Sequence, residues 1–97
     1  MKNPIYVIVR FELKEEEIDV LYPTIQEFFK KEVSKVPGFI SAKLHRNNEG
    51  TVLINYAAWE SVELYHKFIM EVAMNSEISK KIQRFESKAD KVFEIPL

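Results

Sequence analysis

Residues 39–59, FISAKLHRNNEGTVLINYAAW, predict a β-hairpin. Two runs rich in β-branched and aromatic residues flank residues 47–50, whose composition is typical of a turn. With a four-residue loop, Arg46 faces Thr51 on the neighbouring strand. Because side chains alternate along a strand, this register gives both faces of the hairpin apolar side chains. One face carries Ile40, Ala42, Leu44, Leu53, Asn55, Ala57 and Trp59, and the other carries Phe39, Ser41, Lys43, His45, Val52, Ile54, Tyr56 and Ala58.

The chain before the hairpin predicts one strand and one helix. Residues 5–13 alternate in hydrophobicity as a half-buried strand does. Residues 18–36 place apolar side chains at helical spacing, after a run of acidic residues that favours a helix start. Pro23 falls inside this pattern and is expected to kink or restart the helix, and Pro37-Gly38 is expected to end it.

The chain after the hairpin predicts a helix in two pieces and a final strand. Ser61 suits an N-cap, and Asn75-Ser76 interrupts the helical spacing and can cap a second piece. Residues 91–97 alternate as a last strand. The order β-α-β-β-α-β over residues 1–97 predicts a single α+β domain, with a ferredoxin-like antiparallel sheet and helices on one face.

The second apolar face of the hairpin predicts a partner subunit. Helices on one side of a sheet leave the other side open, and Phe39, Val52, Ile54 and Tyr56 need a cover there. A chain of 97 residues also buries a modest share of its surface by itself. We therefore expect a homodimer that packs sheet against sheet.

Composition and charge exclude several classes of function. The net charge is −1 and no basic stripe is present, which argues against nucleic-acid binding. The chain has no cysteine, and its two histidines, His45 and His66, lie on different predicted elements, so no metal site is expected. No apolar run is long enough to cross a bilayer and no signal peptide precedes the first strand, so we expect a cytoplasmic protein without membrane partners.

A polar residue stands out on the face of the hairpin that the helices should cover. Asn55 lies in mid-strand, Ala57 and Trp59 follow it on the same face, and Tyr65 lies one turn into the next helix. Amide, indole N–H and phenol form a set of neutral donors on an apolar wall, which suits a carbonyl or enolate of a flat organic molecule. The same residues also fit a core asparagine whose hydrogen bonds are satisfied, packed by aromatic rings.

Four segments together resemble the antibiotic biosynthesis monooxygenase domain family, whose members are dimeric α+β barrels of about this length. These are PGFISA at 37–42, LHR at 44–46, Gly50 and NYAAWES at 55–61. The resemblance covers the whole chain in element order. The resemblance is more specific for the family than for one activity, because this fold carries several activities.

The resemblance implies a cofactor-independent monooxygenase that oxidises a small aromatic, phenolic or quinol-like compound with molecular oxygen. No metal, flavin or haem takes part, because the deprotonated substrate is itself the electron donor. By their match to the family pattern, Asn55, Trp59 and Tyr65 would be the catalytic residues. Arg84, on the later helical segment, and His66, next to Tyr65, are further candidates for substrate binding.

Two alternatives stay open within the same fold. One is a non-catalytic dimeric domain that binds a small molecule or serves a stress response. The other is a haem-degrading monooxygenase, since that branch also carries asparagine and tryptophan. It requires an axial histidine on the helix after the tryptophan, where this chain has Ile69, and His66 lies most of a turn away.

Overall fold

The sheet and helices are seen in a computed structural model, which describes residues 4–97; the first three residues of the predicted domain 1–97 lie outside it. The four strands form one antiparallel sheet in the order β2-β3-β1-β4. This confirms the predicted α+β ferredoxin-like fold. The elements are β1 (Ile5–Glu12), α1 (Glu17–Lys31), β2 (Phe39–Arg46), β3 (Val52–Trp59), α2 (Val62–Glu71), α3 (Glu77–Ile82) and β4 (Ser87–Val92), with short 3-10 helices at Val33–Lys35 and Ala73–Asn75.

Serine side chains begin the two later helices, as predicted. Ser61 Oγ accepts a hydrogen bond from the backbone N–H of Leu64 at 3.1 Å, at the start of α2. Ser76 Oγ accepts one from the backbone N–H of Ser79 at 3.1 Å, at the start of α3. Each bond satisfies one of the N–H groups that a helix leaves free in its first turn, which fixes where the helix begins.

The first helix continues through its proline. The predicted restart at Pro23 is wrong, because α1 is one element from Glu17 to Lys31. Pro23 removes the N–H that would bond the carbonyl of Asp19, and both residues lie on the exposed side of α1. Water can therefore satisfy that carbonyl, and the apolar side of the helix keeps its packing.

The predicted last strand is present, but its predicted bounds of 91–97 are wrong. β4 covers Ser87–Val92 and pairs antiparallel with β1 at the edge of the sheet. Because an edge strand has one neighbour and is mostly exposed here, its sequence SKADKV lacks the apolar alternation that marks a buried strand. The apolar side chains that led to the prediction follow β4 and are exposed: Phe93, Ile95 and Leu97.

The hairpin register differs from the prediction by two residues. Arg46 pairs with Leu53 and not with Thr51. A shift by an even number of residues leaves each side chain on its predicted face, because the side-chain period of a strand is two. The side chains of β3, including Asn55 and Ala57, therefore lie on the predicted faces of the sheet.

A β-bulge changes the orientation of two residues at the start of β2. The register shifts between Phe39 and Ser41, and an extra residue in one strand reverses which way the preceding side chains point. Phe39 lies opposite Trp59 and its ring contacts the indole, with the ring centroids 5.5 Å apart. Ile40 is 50% exposed. The predicted faces of these two residues are wrong for this reason.

The buried side chains form two groups on the helix-facing side of the sheet. One group surrounds Trp59 and joins the sheet to α1 and α2. The other surrounds Leu21 and joins the sheet to α1. Val9, Phe29 and Ile82 are partly buried and pack against both groups. The core is therefore least complete where the two groups meet.

The opposite side of the sheet carries a partly buried apolar surface. Tyr6 and Tyr56 stack there with ring centroids 5.1 Å apart, and Ile54 is half-buried between β1 and β2. Tyr56 keeps 38% of its surface exposed. Among residues 4–97, no helix is both long and apolar enough to cross a membrane.

The predicted homodimer can be tested by placing a charge on this surface. We expect Ile54→Lys to convert a dimer into monomers, since obligate interfaces of this kind bury roughly 2,000 Å² or more and exclude unpaired charge. The measurement is molar mass by light scattering at micromolar concentration. Val20→Lys is the matched control, because Val20 is 62% exposed on α1. A wild-type protein that is monomeric in this measurement would contradict the prediction.

Candidate active site

A cavity of about 230 Å³ lies between the helix-facing side of the sheet and the three helices. It occupies the region where the two groups of buried side chains meet, with Val9, Phe29 and Ile82 among its walls. The three predicted catalytic residues also line it: Asn55 and Trp59 from β3, and Tyr65 from α2. The structure therefore brings these three side chains to one cavity.

Asn55 provides the most unusual polar atom of this cavity. It lies between Leu44 of β2 and Val9 of β1 in the middle of the sheet. Its side-chain oxygen, Oδ1, is buried and has no hydrogen-bond partner, and it is the only buried side-chain oxygen or nitrogen of residues 4–97 in that condition. Leaving such a group unpaired costs about 1–3 kcal/mol. Within residues 4–97, no protein group therefore satisfies this oxygen.

Aromatic rings fix the indole of Trp59 at the wall of the cavity. Trp59 is 2% exposed, and three rings surround it: Phe68 at 4.9 Å, and Phe39 and Tyr65 at 5.5 Å each between ring centroids. The contact with Phe39 exists because of the bulge in β2. Rings held in edge-to-face contact on several sides cannot rotate freely. A ligand in the cavity would therefore meet a preformed wall.

The other two candidates, Arg84 and His66, do not line the cavity. Arg84 follows α3 and is exposed. His66 is exposed on α2, where the Lys91 ammonium donates a hydrogen bond to its Nε2 at 3.0 Å. Their predicted contact with substrate thus gains no geometric support, whereas Ile69, beside His66 on α2, does line the cavity.

Three further polar residues line the cavity and were not predicted from the sequence: Ser79, Gln83 and Ser87. Ser79 and Gln83 are four residues apart on and just after α3, so they share one side of that helix. This spacing was available in the sequence as a sign that Gln83, and not Arg84, points the same way as Ser79. Ser87 had no such sign, because the last strand was predicted to begin four residues later, at residue 91.

The cavity has no charged lining residue among those the structure describes. Its polar groups are amides, hydroxyls and an indole, on an otherwise apolar and aromatic wall. Such a wall favours an uncharged, flat ligand, because burying an ion without a counter-charge is costly. Within residues 4–97 no group of three or more histidine, cysteine, aspartate or glutamate side chains is placed to hold a metal ion.

Burial raises the pKa of Tyr65 above the ordinary value of 10.0. The phenol therefore keeps its proton at neutral pH and acts as a hydrogen-bond donor in the cavity. It is not available as a phenolate base under these conditions.

The raised pKa of Tyr65 predicts a loss of stability at alkaline pH. The folded protein holds this proton more tightly than the unfolded chain, so the contribution is intact below about pH 10 and is lost as the pH rises through the folded pKa. We expect Tyr65→Phe to weaken this loss, measured as the free energy of unfolding at about pH 8 and about pH 11. Tyr22→Phe is the control, because Tyr22 is exposed on α1 and this substitution also removes one tyrosine. Equal effects of the two substitutions would contradict the prediction.

Solved structures of low sequence identity share this fold. A monooxygenase from the gene ActVA-Orf6 of Streptomyces coelicolor, solved with the ligand nanaomycin D, is 22% identical, with a TM-score of 0.72 over 98% of this chain and 90% of that one. SnoaB, a cofactor-independent oxygenase of Streptomyces nogalater, is 14% identical, with a TM-score of 0.75 over 98% and 96%. A Bacteroides thetaiotaomicron protein of unknown function, described as a possible oxidoreductase, is 17% identical, with a TM-score of 0.81 over 97% and 100%.

The sequence itself carries the family assignment. No protein of curated function matches it significantly. Residues 4–68, which are more than half of the chain, match the family of antibiotic biosynthesis monooxygenases. This segment contains the hairpin and the first turns of α2, and with them Asn55, Trp59 and Tyr65. The chain therefore belongs to the antibiotic biosynthesis monooxygenase family.

Proposed function

We propose that this protein is a cofactor-independent monooxygenase that oxidises a small phenolic or quinol-like aromatic compound with molecular oxygen. The observation that carries the proposal is the buried, unpartnered Oδ1 of Asn55 in an uncharged, aromatic-lined cavity. Membership of the family and the monooxygenases among proteins of the same fold support this reaction class.

The size of the cavity supports a compound with two fused rings. An apolar cavity of about 150 Å³ accommodates benzene. The cavity here, at about 230 Å³, is larger by about half, which matches a naphthalene ring system. Its walls also present the rings of Trp59, Tyr65 and Phe68, which stack well against a flat aromatic ligand.

Each of the three polar side chains has a role in this proposal. Asn55 Oδ1 accepts a hydrogen bond from a substrate hydroxyl while the substrate is neutral, and Asn55 Nδ2 can donate a hydrogen bond to the substrate oxygen once negative charge develops there. The indole N–H of Trp59 is a second donor to that oxygen. Tyr65, which keeps its proton, positions the substrate or supplies a proton to the reduced oxygen.

The proposed reaction needs no reductant other than the substrate. Loss of the hydroxyl proton to solvent water gives an electron-rich anion that transfers an electron to oxygen. A carbon–oxygen bond then forms, the oxygen–oxygen bond breaks, and the second oxygen atom leaves as water with two protons from the substrate. A quinol thus yields a hydroxyquinone and water, with the four electrons that oxygen accepts all supplied by the quinol. Stabilisation of the first anion is the step that the cavity residues promote.

Oxygen consumption tests the proposal. We expect the purified protein to consume oxygen with a menaquinol or with 1,4-dihydroxynaphthalene, both of which have two fused rings, and to do so equally with and without a metal chelator. Activity that the chelator abolishes would contradict cofactor independence. Tight binding of both compounds without turnover would instead favour the non-catalytic binding domain.

A further inference from the structure

The rim of the cavity next to α3 carries an amide that is held in one orientation. Gln83 follows the last residue of α3 and lines the cavity. Its Nε2 donates a hydrogen bond to Ser79 Oγ at 3.0 Å. Ser79 is only 6% exposed, and its backbone N–H donates a hydrogen bond to Ser76 Oγ at 3.1 Å. An exposed glutamine ordinarily samples many rotamers, so this bond to a buried hydroxyl restricts its direction.

The bond to Ser79 leaves the other end of the Gln83 amide for a ligand. A primary amide has a donor end and an acceptor end. Because Nε2 bonds Ser79, Oε1 remains to accept a hydrogen bond. The cavity thus has one amide acceptor on the sheet, Asn55 Oδ1, and a second at the end of α3. Arg84, the next residue, does not line the cavity and offers no charge there.

We propose that Gln83, oriented by Ser79, is the specificity-determining residue that selects substrates with a second hydroxyl group on the ring system. This rests on the proposed function, in which the first hydroxyl binds Asn55. A ring system with two hydroxyl groups bonds both amides at once. A ring system with one hydroxyl group bonds Asn55 and leaves Gln83 to water.

Calorimetric binding under nitrogen tests this proposal, because without oxygen the ligands are not consumed. The probes are 2-naphthol, with one hydroxyl group, and 2,6-dihydroxynaphthalene, with one at each end. We expect the wild type to bind the diol about three- to tenfold more tightly, as one further neutral hydrogen bond provides. Gln83→Met, which keeps the length of the side chain, should remove this preference.

Two further variants separate specificity from structure. Arg84→Met changes the adjacent, exposed residue and should keep the full preference for the diol. Ser79→Ala frees the Gln83 amide and should lower the ratio of diol affinity to naphthol affinity. A purely structural loss would weaken the binding of both probes and leave this ratio unchanged.

The outcomes of this experiment are distinct. A wild type that binds both probes equally, or a Gln83→Met variant that keeps the preference, would overturn the role of Gln83 and leave the proposed function standing. A wild type that binds neither probe would overturn both. Loss of the preference in Arg84→Met as large as in Gln83→Met would overturn the role of Gln83, because the effect would not be specific to that side chain.

Discussion

Asn55→Leu should lower turnover by about 10²–10³-fold, the usual effect of losing one hydrogen-bonding group that stabilises developing negative charge. The same change should leave the folded protein as stable as the wild type, or more stable. Oδ1 of Asn55 is buried without a partner, so the wild type already bears an unsatisfied polar group. Leucine has the same number of side-chain heavy atoms, the same branching at Cγ and no polar atom, and it removes a cost of about 1–3 kcal/mol. A gain in stability together with a loss of activity is typical of a functional residue.

The opposite pattern would contradict the role of Asn55. Turnover is measured by oxygen consumption per folded molecule, and stability by urea unfolding of the same preparations. Leu44→Ala is a suitable control, since Leu44 is the neighbour of Asn55 in β2 and does not line the cavity. It should lower stability and leave turnover per folded molecule close to that of the wild type. Asn55→Leu that loses stability while turning over normally would make Asn55 a structural residue.

Gly38→Ala should strongly destabilise the folded protein. Gly38 has a φ of 93°, which residues with a side chain rarely adopt, and an added Cβ would lie 2.6 Å from Leu64 Cβ on α2. Strain of about 1–3 kcal/mol and overpacking of about 1–3 kcal/mol together approach the low end of typical stabilities, about 5–15 kcal/mol. We expect the Tm to fall by more than about 10 °C. Leu64 precedes Tyr65, so any surviving fold would also displace a cavity residue.

Gly50→Ala is the matched control for this prediction. Gly50 also has a positive φ, 76°, but its added Cβ would meet the end of the flexible Arg46 side chain at 3.1 Å. The guanidinium can move away, so strain alone should remain, at about 1–3 kcal/mol. Thermal unfolding followed by circular dichroism compares the two variants. Equal losses would show that the approach of Leu64 to Gly38 does not matter.

Elements with a buried side were predictable from the sequence, and elements without one were not. β1, β3 and the caps of α2 and α3 follow from alternation and from serines placed before apolar spacing. β4 was placed too far along the chain, because an exposed edge strand has no apolar pattern to mark it. The bulge in β2 could not be predicted from the sequence either, since nothing in FIS at residues 39–41 indicates an extra residue in the strand.

The cavity residues divide in the same way. Asn55 was predictable because an amide in mid-strand on a covered face contradicts the usual composition of a core strand. Trp59 and Tyr65 followed from strand and helix spacing. Gln83 was missed because its role depends on where α3 ends, and helix ends are the least certain part of any sequence pattern. Arg84 was predicted because of its charge. It lies outside the cavity because it comes one residue after Gln83, and successive residues of a helix point in different directions.

The proposed function requires that this cavity direct one atom of molecular oxygen into an aromatic substrate. The most direct test is turnover of a naphthalene diol with oxygen-18-labelled oxygen in the presence of a chelator, followed by mass spectrometry of the product. Monooxygenation predicts a hydroxyquinone that carries one labelled oxygen atom, with the second labelled atom in water, and a much smaller yield with Asn55→Leu. An unlabelled quinone with hydrogen peroxide as the only reduced product would contradict monooxygenation, and a labelled product formed equally well by Asn55→Leu would contradict the role of Asn55.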